Sequence, residues 1–276
     1  MYEILISPFV EYDFLYRALL TGVFISISSA PLGVFLILRR VSLMGDAISH
    51  GILPGIAISY IIYGLSIWAL TFGGIAAGII IAGASYLISN KTILKEDATL
   101  TGIYLFSLAI GVFILSASNG QMCVMHFLFG DILGVGRDAF NLIIVLSAIT
   151  PIILSLILKP LIYGSFDPLF CKSNKIPLKR IQVIFLSLVV VNLVVGCQAM
   201  GTIMTLGIMM IPAIAARIIC IKVIPMLMVS SIIGIISSVF GVLISYHFNF
   251  ATSPAIVMTS GIIWIFSMIY NYSFSK

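Results

Sequence analysis

Nine apolar stretches follow one another through the 276 residues, at about 15–38, 43–63, 66–88, 98–118, 139–158, 180–200, 202–219, 224–246 and 254–273. A membrane-spanning helix needs about 20 predominantly apolar residues, and roughly 30 per span with its loop fills the whole chain. No length is left for a sizeable extramembrane domain. The expected fold is an all-α polytopic membrane protein, with residues 1–276 as a single transmembrane domain. The second stretch carries Asp46 and His50, and the sixth and seventh are divided only at Gly201, so the expectation is eight to nine helices. Only 8% of the residues are Asp, Glu, Lys or Arg, and 61% are hydrophobic. A soluble domain carries about 25% charged residues. The composition therefore excludes a soluble enzyme or a nucleic-acid binder, and membrane lipid is the expected surroundings.

Charge placement orients the chain. With nine spans and an outside N-terminus, Arg39/Arg40, Lys91/Lys95, the basic residues from Lys159 to Arg180, Arg217/Lys222 and Lys276 all fall inside. That puts 12 of the 14 basic residues in the cytoplasm and leaves only Arg17 and Arg137 outside. The reverse orientation opposes the positive-inside bias. The expected topology is N-terminus outside and C-terminus cytoplasmic. Glu3, Glu11 and Asp13 precede the first span without a basic stretch, which does not read as a cleaved signal peptide. Cys123, Cys171, Cys197 and Cys220 have no C-x-x-C spacing and imply neither a disulfide framework nor a zinc knuckle.

A charge inside a bilayer costs about 2.5–3.5 kcal/mol at mid-helix, so such residues default to function. Asp46 sits within a predicted span and His50 follows four residues on, which places both on one helix face. Carboxylate and imidazole together are a ligand set for zinc, manganese or iron. Pro54, four residues further, has no N–H for the His50 carbonyl. Beside the polar face runs a small one, Ala47, Gly51 and Gly55, suited to close helix packing. The plainer alternative is an Asp–His hydrogen bond at a helix start near the cytoplasmic interface.

Gln121 to Arg137 is too polar to span and too apolar for a free loop, and reads as a segment tucked into the outer mouth of the bundle. Its His126 and Asp131, with His247 in the last outer loop, are candidate entry-side metal ligands or simply solvated residues. The longest cytoplasmic connection, 159–180, contains Phe166-Asp167-Pro168-Leu169-Phe170. Asp167 followed by Pro168 reads as an N-cap and first-turn proline opening a short helix. Such a helix either fits a partner's groove or is a plain amphipathic linker. The 23 glycines are read mainly as packing positions.

Absences narrow the function. No Lys follows a Gly, so there is no phosphate-binding loop and the chain is not its own P-loop ATPase. There is no H-E-x-x-H, G-x-S-x-G or G-x-G-D, no arginine-rich span and no evident internal repeat. Transport without in-chain energy coupling remains.

The run Arg39-Arg40-Val41-Ser42-Leu43-Met44-Gly45-Asp46-Ala47-Ile48-Ser49-His50-Gly51-Ile52-Leu53-Pro54-Gly55 resembles the signature of the permease subunits of bacterial zinc/manganese/iron ABC importers. Further blocks resemble the family in the same order: His126 to Leu133, Phe166-Asp167-Pro168, Met200-Gly201-Thr202 through Ile211-Pro212-Ala213, and Pro254-Ala255-Ile256-Val257. The resemblance implies a homodimer in the bacterial plasma (inner) membrane, each copy docking a cytoplasmic ABC ATPase. An external metal-binding protein would deliver the ion, with no permanently bound cofactor. It carries intramembrane metal contact onto Asp46 and His50. It makes 166–178 the coupling segment, with Asp167, Pro168, Leu169, Phe170 and Cys171 the residues facing the ATPase. Two departures stand out. Relatives usually have a small residue and then Gly where this chain has Cys171 and Asn174, and Asn can take the left-handed turn that Gly takes. Relatives often have Asp and Pro-x-Gly where this chain has Asn249 and Ala251-Thr252-Ser253.

A competing reading is a stand-alone, proton-coupled secondary metal transporter, which predicts several buried carboxylates where this chain has one. A membrane-embedded enzyme using Asp46 and His50 lacks a local nucleophile or a closed metal triad.

Overall fold

Where the backbone lies in hydrocarbon, every N–H and C=O must be satisfied within its own segment, and helices do this. The computed structural model describes residues 13–64, 66–93, 96–117 and 136–274, and among these the elements are all helices. They are α1 Asp13–Leu38, α2 Leu43–Gly51, α3 Leu53–Tyr63, α4 Ile67–Lys91, α5 Glu96–Ala117, α6 Arg137–Phe166, α7 Pro168–Ser173, α8 Leu178–Met200, α9 Thr202–Ile219, α10 Val223–Phe248 and α11 Thr252–Phe274. Among the described residues nine helical segments are long and apolar enough to cross a membrane, with α2 and α3 together making one of them. The nine-helix reading of the sequence therefore holds, and Gly201 does divide two spans.

Two boundaries differ from the sequence expectation. The fifth span, expected to end near residue 158, continues as helix to Phe166. The Lys159-Pro160 pair does not stop it, since a helix need not end where hydrocarbon ends. Ser165 Oγ closes its end by donating to Leu161 O at 2.8 Å. The second span is interrupted at Ile52, whose N–H turns toward both Ile48 O and His50 O.

The helices group into two compact units. The first holds α1, the start of α6, the end of α8, and α9 to α11. Its packing rests on small residues. On α1, Gly22 and Ser26 lie against Ser238 and Gly234 of α10, and Ser26 Oγ is 3.3 Å from Ser238 Oγ. Gly33 lets α1 touch the backbone of α9, where any Cβ would sit 1.8 Å from Met209 O. Between α8 and α9 the connection is Gly201 alone, at φ +81°, a backbone region L side chains rarely adopt. Thr205 Oγ1 donates to Gly201 O at 2.8 Å and Thr205 packs on the Gly196 position, which pins this corner. Asn249 ends α10 in the left-handed conformation.

The second unit holds α2 to α5, the end of α6, α7 and most of α8. The Ala47–Gly51–Gly55 stripe packs as expected from its small residues. A Cβ on Gly51 would meet Ile81, and one on Gly55 would lie 2.2 Å from Gly73 O. Along the α4–α8 contact, Gly74 lies against Val194 and Gly78 against Val190. Arg39 Nε donates to Ser165 Oγ at 3.3 Å, and its guanidinium lies 5.2 Å from the Phe185 ring centroid.

Candidate functional site

The candidate site follows from the interrupted span. Pro54 withholds an N–H from the preceding turn, so the helix breaks into α2 and α3 at Ile52. Ser107 Oγ of α5 fills part of the gap by donating to Gly51 O at 2.7 Å. The small face of α2 is consumed by packing on α4 and α5, and the face beside it stays partly exposed. On that face His50 Nε2 stands 3.4 Å from Asp46 Oδ1, and the side chains are 28% and 53% exposed respectively. Ser49 Oγ donates to Asp46 O at 2.8 Å and steadies the same turn.

Two potential donors on one turn make an open pair, not a closed cage. A structural zinc site takes four ligands. Among the described residues no group of three or more His, Cys, Asp or Glu comes together. His247 sits in the last turn of α10, within the first unit, edge-on to Tyr246 at 5.3 Å between ring centroids. His126 and Asp131 lie outside the described residues.

The short helix α7 begins as its sequence dictates. The Phe170 N–H donates to Asp167 Oδ1 at 2.9 Å, an N-cap hydrogen bond, and Pro168 opens the first turn. The residues grouped as coupling positions divide by environment. Leu169 is 76% exposed and Phe170 is exposed with its ring 5.6 Å from Tyr163, whereas Cys171 is fully buried. Leu169 and Phe170 thus form the face of α7, and Cys171 anchors it. The turn beyond α7 also differs from expectation. The left-handed residue is Lys175, at φ 54°, not Asn174. The Ile176 N–H reaches back to Cys171 O at 3.0 Å, the long bond of a Schellman ending, while Asn174 Nδ2 donates to Phe170 O at 3.0 Å. The Asn amide supplies a cap here, and the next residue takes the turn. Sequence reasoning missed this because a lysine gives no left-handed signal.

The described helices define a polytopic α-helical membrane protein. The model of the family described as "ABC 3 transport family" matches residues 11–271, and the chain belongs to that family. The chain is similar to the manganese import system permease protein ScaB of Streptococcus parasanguinis, with 33% identity over 93% of this chain and 90% of that protein. It is also similar to the chelated iron transport system membrane protein YfeD of Yersinia pestis, with 29% identity over 99% of this chain and 90% of that one. Among solved structures it resembles PsaBC from Streptococcus pneumoniae in complex with Fab, at TM-score 0.83 and 31% identity over 95% of each chain. The fold is shared as well with an inward-facing putative metal-chelate type ABC transporter, at TM-score 0.71 and 17% identity, over 92% of this chain and 85% of that chain.

Proposed function

We propose that this chain is the membrane-spanning permease subunit of an ATP-driven divalent metal importer in the bacterial plasma membrane. It passes manganese, iron or zinc from an external binding protein to the cytoplasm. The observation that carries this reading is the family match over nearly the whole chain, with relatives named for manganese and chelated-iron transport. The Asp46–His50 pair is the site where the cation makes contact. A loose two-donor contact suits passage, because a closed, fully satisfied cage holds its ion too well to release it.

The same reading assigns partners. A second copy brings a second Asp46–His50 pair, and two pairs supply the four donors that one chain lacks. ATP hydrolysis belongs to cytoplasmic ATPase subunits that grip α7 through Leu169 and Phe170. With the N-terminus outside, α7 lies on the cytoplasmic side, where such subunits are found.

Uptake of radiolabelled manganese, iron and zinc tests this in cells carrying the permease with its ATPase. Wild type is compared with His50→Ala at matched membrane expression. Loss of uptake with normal assembly is the expected result, and the ion carried fastest by wild type is the substrate. Unchanged uptake of all three ions removes His50 from the path.

A further inference from the structure

Within the second unit, α4 and α8 do not stay together along their length. They are tight where Gly78 meets Val190 and Gly74 meets Val194. Toward the other end they splay, and a Cβ on Gly83 would meet nothing within 4 Å. The result is a shallow crevice of about 80 Å³ whose walls include Ile79, Gly83, Tyr86, Lys179, Gln182 and Val190. Its lining Ala82 and Val190 are buried and aliphatic, whereas the polar Lys179, Gln182 and Tyr86 are more exposed. From Lys179 to Val190 a helix rises about 16 Å. No carboxylate lines the crevice.

We propose that this crevice holds one acyl chain of an anionic phospholipid, with its phosphate against Lys179. Two observations select a lipid over a protein segment. The flanking Ile80 and Leu87 and the lining Val183 are exposed and apolar, the character of a surface suited to hydrocarbon. Its charge and its apolar depth lie at opposite ends, which matches the headgroup-and-chain layout of a lipid. Basic pockets between spanning helices on the cytoplasmic side are suited to anionic headgroups. That Lys179 lies on that side rests on the topology proposed above, whereas the crevice itself does not.

The test is native mass spectrometry of the purified permease–ATPase complex, delipidated and then offered dioleoylphosphatidylglycerol or dioleoylphosphatidylcholine at equal mole fraction. Wild type is expected to retain phosphatidylglycerol in preference. Lys179→Ala lowers that preference about fivefold, the worth of one basic residue near an anionic lipid. Gly83→Phe fills the crevice and removes retention of both lipids. Equal retention of the two lipids by wild type overturns the proposal, as does Lys179→Ala retaining wild-type preference. Gly83→Phe releasing the ATPase or the second copy, with lipid retention unchanged, also overturns it and makes the crevice a protein seat. If Gly83→Phe fails to assemble, Lys179→Ala, an exposed substitution, decides alone. The readout contains no transport step, so failure of the import reading leaves it intact.

Discussion

His50 Nε2 lies 3.4 Å from Asp46 Oδ1, one turn along α2, on the partly exposed face of that helix beside the buried Ala47 and Gly51. An i,i+4 pair this exposed contributes about 0.5 kcal/mol or less to stability. Asp46→Asn is therefore expected to leave the thermal midpoint of the purified protein nearly unchanged. Metal uptake is expected to fall at least about tenfold, since a neutral amide replaces the carboxylate donor at similar size. A large fall in midpoint with proportional loss of uptake would instead make the pair a structural hydrogen bond.

Close helix approach gives a second test, one for each unit. Gly33→Ala places a methyl 1.8 Å from Met209 O, and Gly55→Ala places one 2.2 Å from Gly73 O. Backbone cannot retreat as a flexible side chain can, so each substitution is expected to cost about 1–3 kcal/mol. Gly83→Ala, where a Cβ has open space, is the control and is expected to match wild type. Thermal unfolding in detergent ranks the three.

At α7 the capping and contact roles separate. Asp167→Ala removes the acceptor of the Phe170 N–H and is expected to cost about 1 kcal/mol locally. Leu169→Asp leaves the cap in place and changes only an exposed apolar side chain. Co-purification with the ATPase subunit is expected to fall sharply for Leu169→Asp while the spans stay folded. Retention of the ATPase by that variant would move the docking face off α7.

Topology is open to direct labelling. Ile221, in the link between α9 and α10, is almost fully exposed, and the proposed orientation puts it in the cytoplasm. In a Cys123→Ser background, Ile221→Cys is expected to react with a membrane-impermeant maleimide only after the cells are opened. Labelling of intact cells would invert the chain.

The left-handed end of α10 supplies the last test. Asn249 sits at φ 53°, ψ 37°, where a β-branched residue is strained. Asn249→Gly is expected to be neutral, while Asn249→Val is expected to cost about 1–2 kcal/mol by thermal unfolding. This gives Asn249 a conformational reason to be there, independent of any carboxylate chemistry at that position.

The spans were legible because hydrocarbon imposes one solution on each apolar stretch, and among the described residues the nine stretches are helices long and apolar enough to cross a membrane. The short helix at Pro168 was legible because Asp167 carries both the cap and the start signal. What escaped were features set by partners across space. The end of α6, past Lys159-Pro160, is met by Arg39, whose Nε donates to Ser165 Oγ across 126 residues of sequence. The break at Ile52 was foreshadowed by Pro54, but the partners of the freed turn were not: the Ile52 N–H leans toward His50 O, and Ser107 arrives from α5 to donate to Gly51 O. The burial of Cys171 beside the exposed Leu169 follows from how α7 lies on its neighbours, and no local pattern encodes that.

The connection at Gly201 has a mechanical consequence. A loop of ordinary length lets its two helices drift, and lengthening it costs little entropy. Here the connection is one residue, and Thr205 ties it down through its hydroxyl and its methyl. There is no slack, so α8 cannot slide against α9 at this end without unmaking the corner. The joint behaves as a weld: the helices can pivot about it, but they cannot part there.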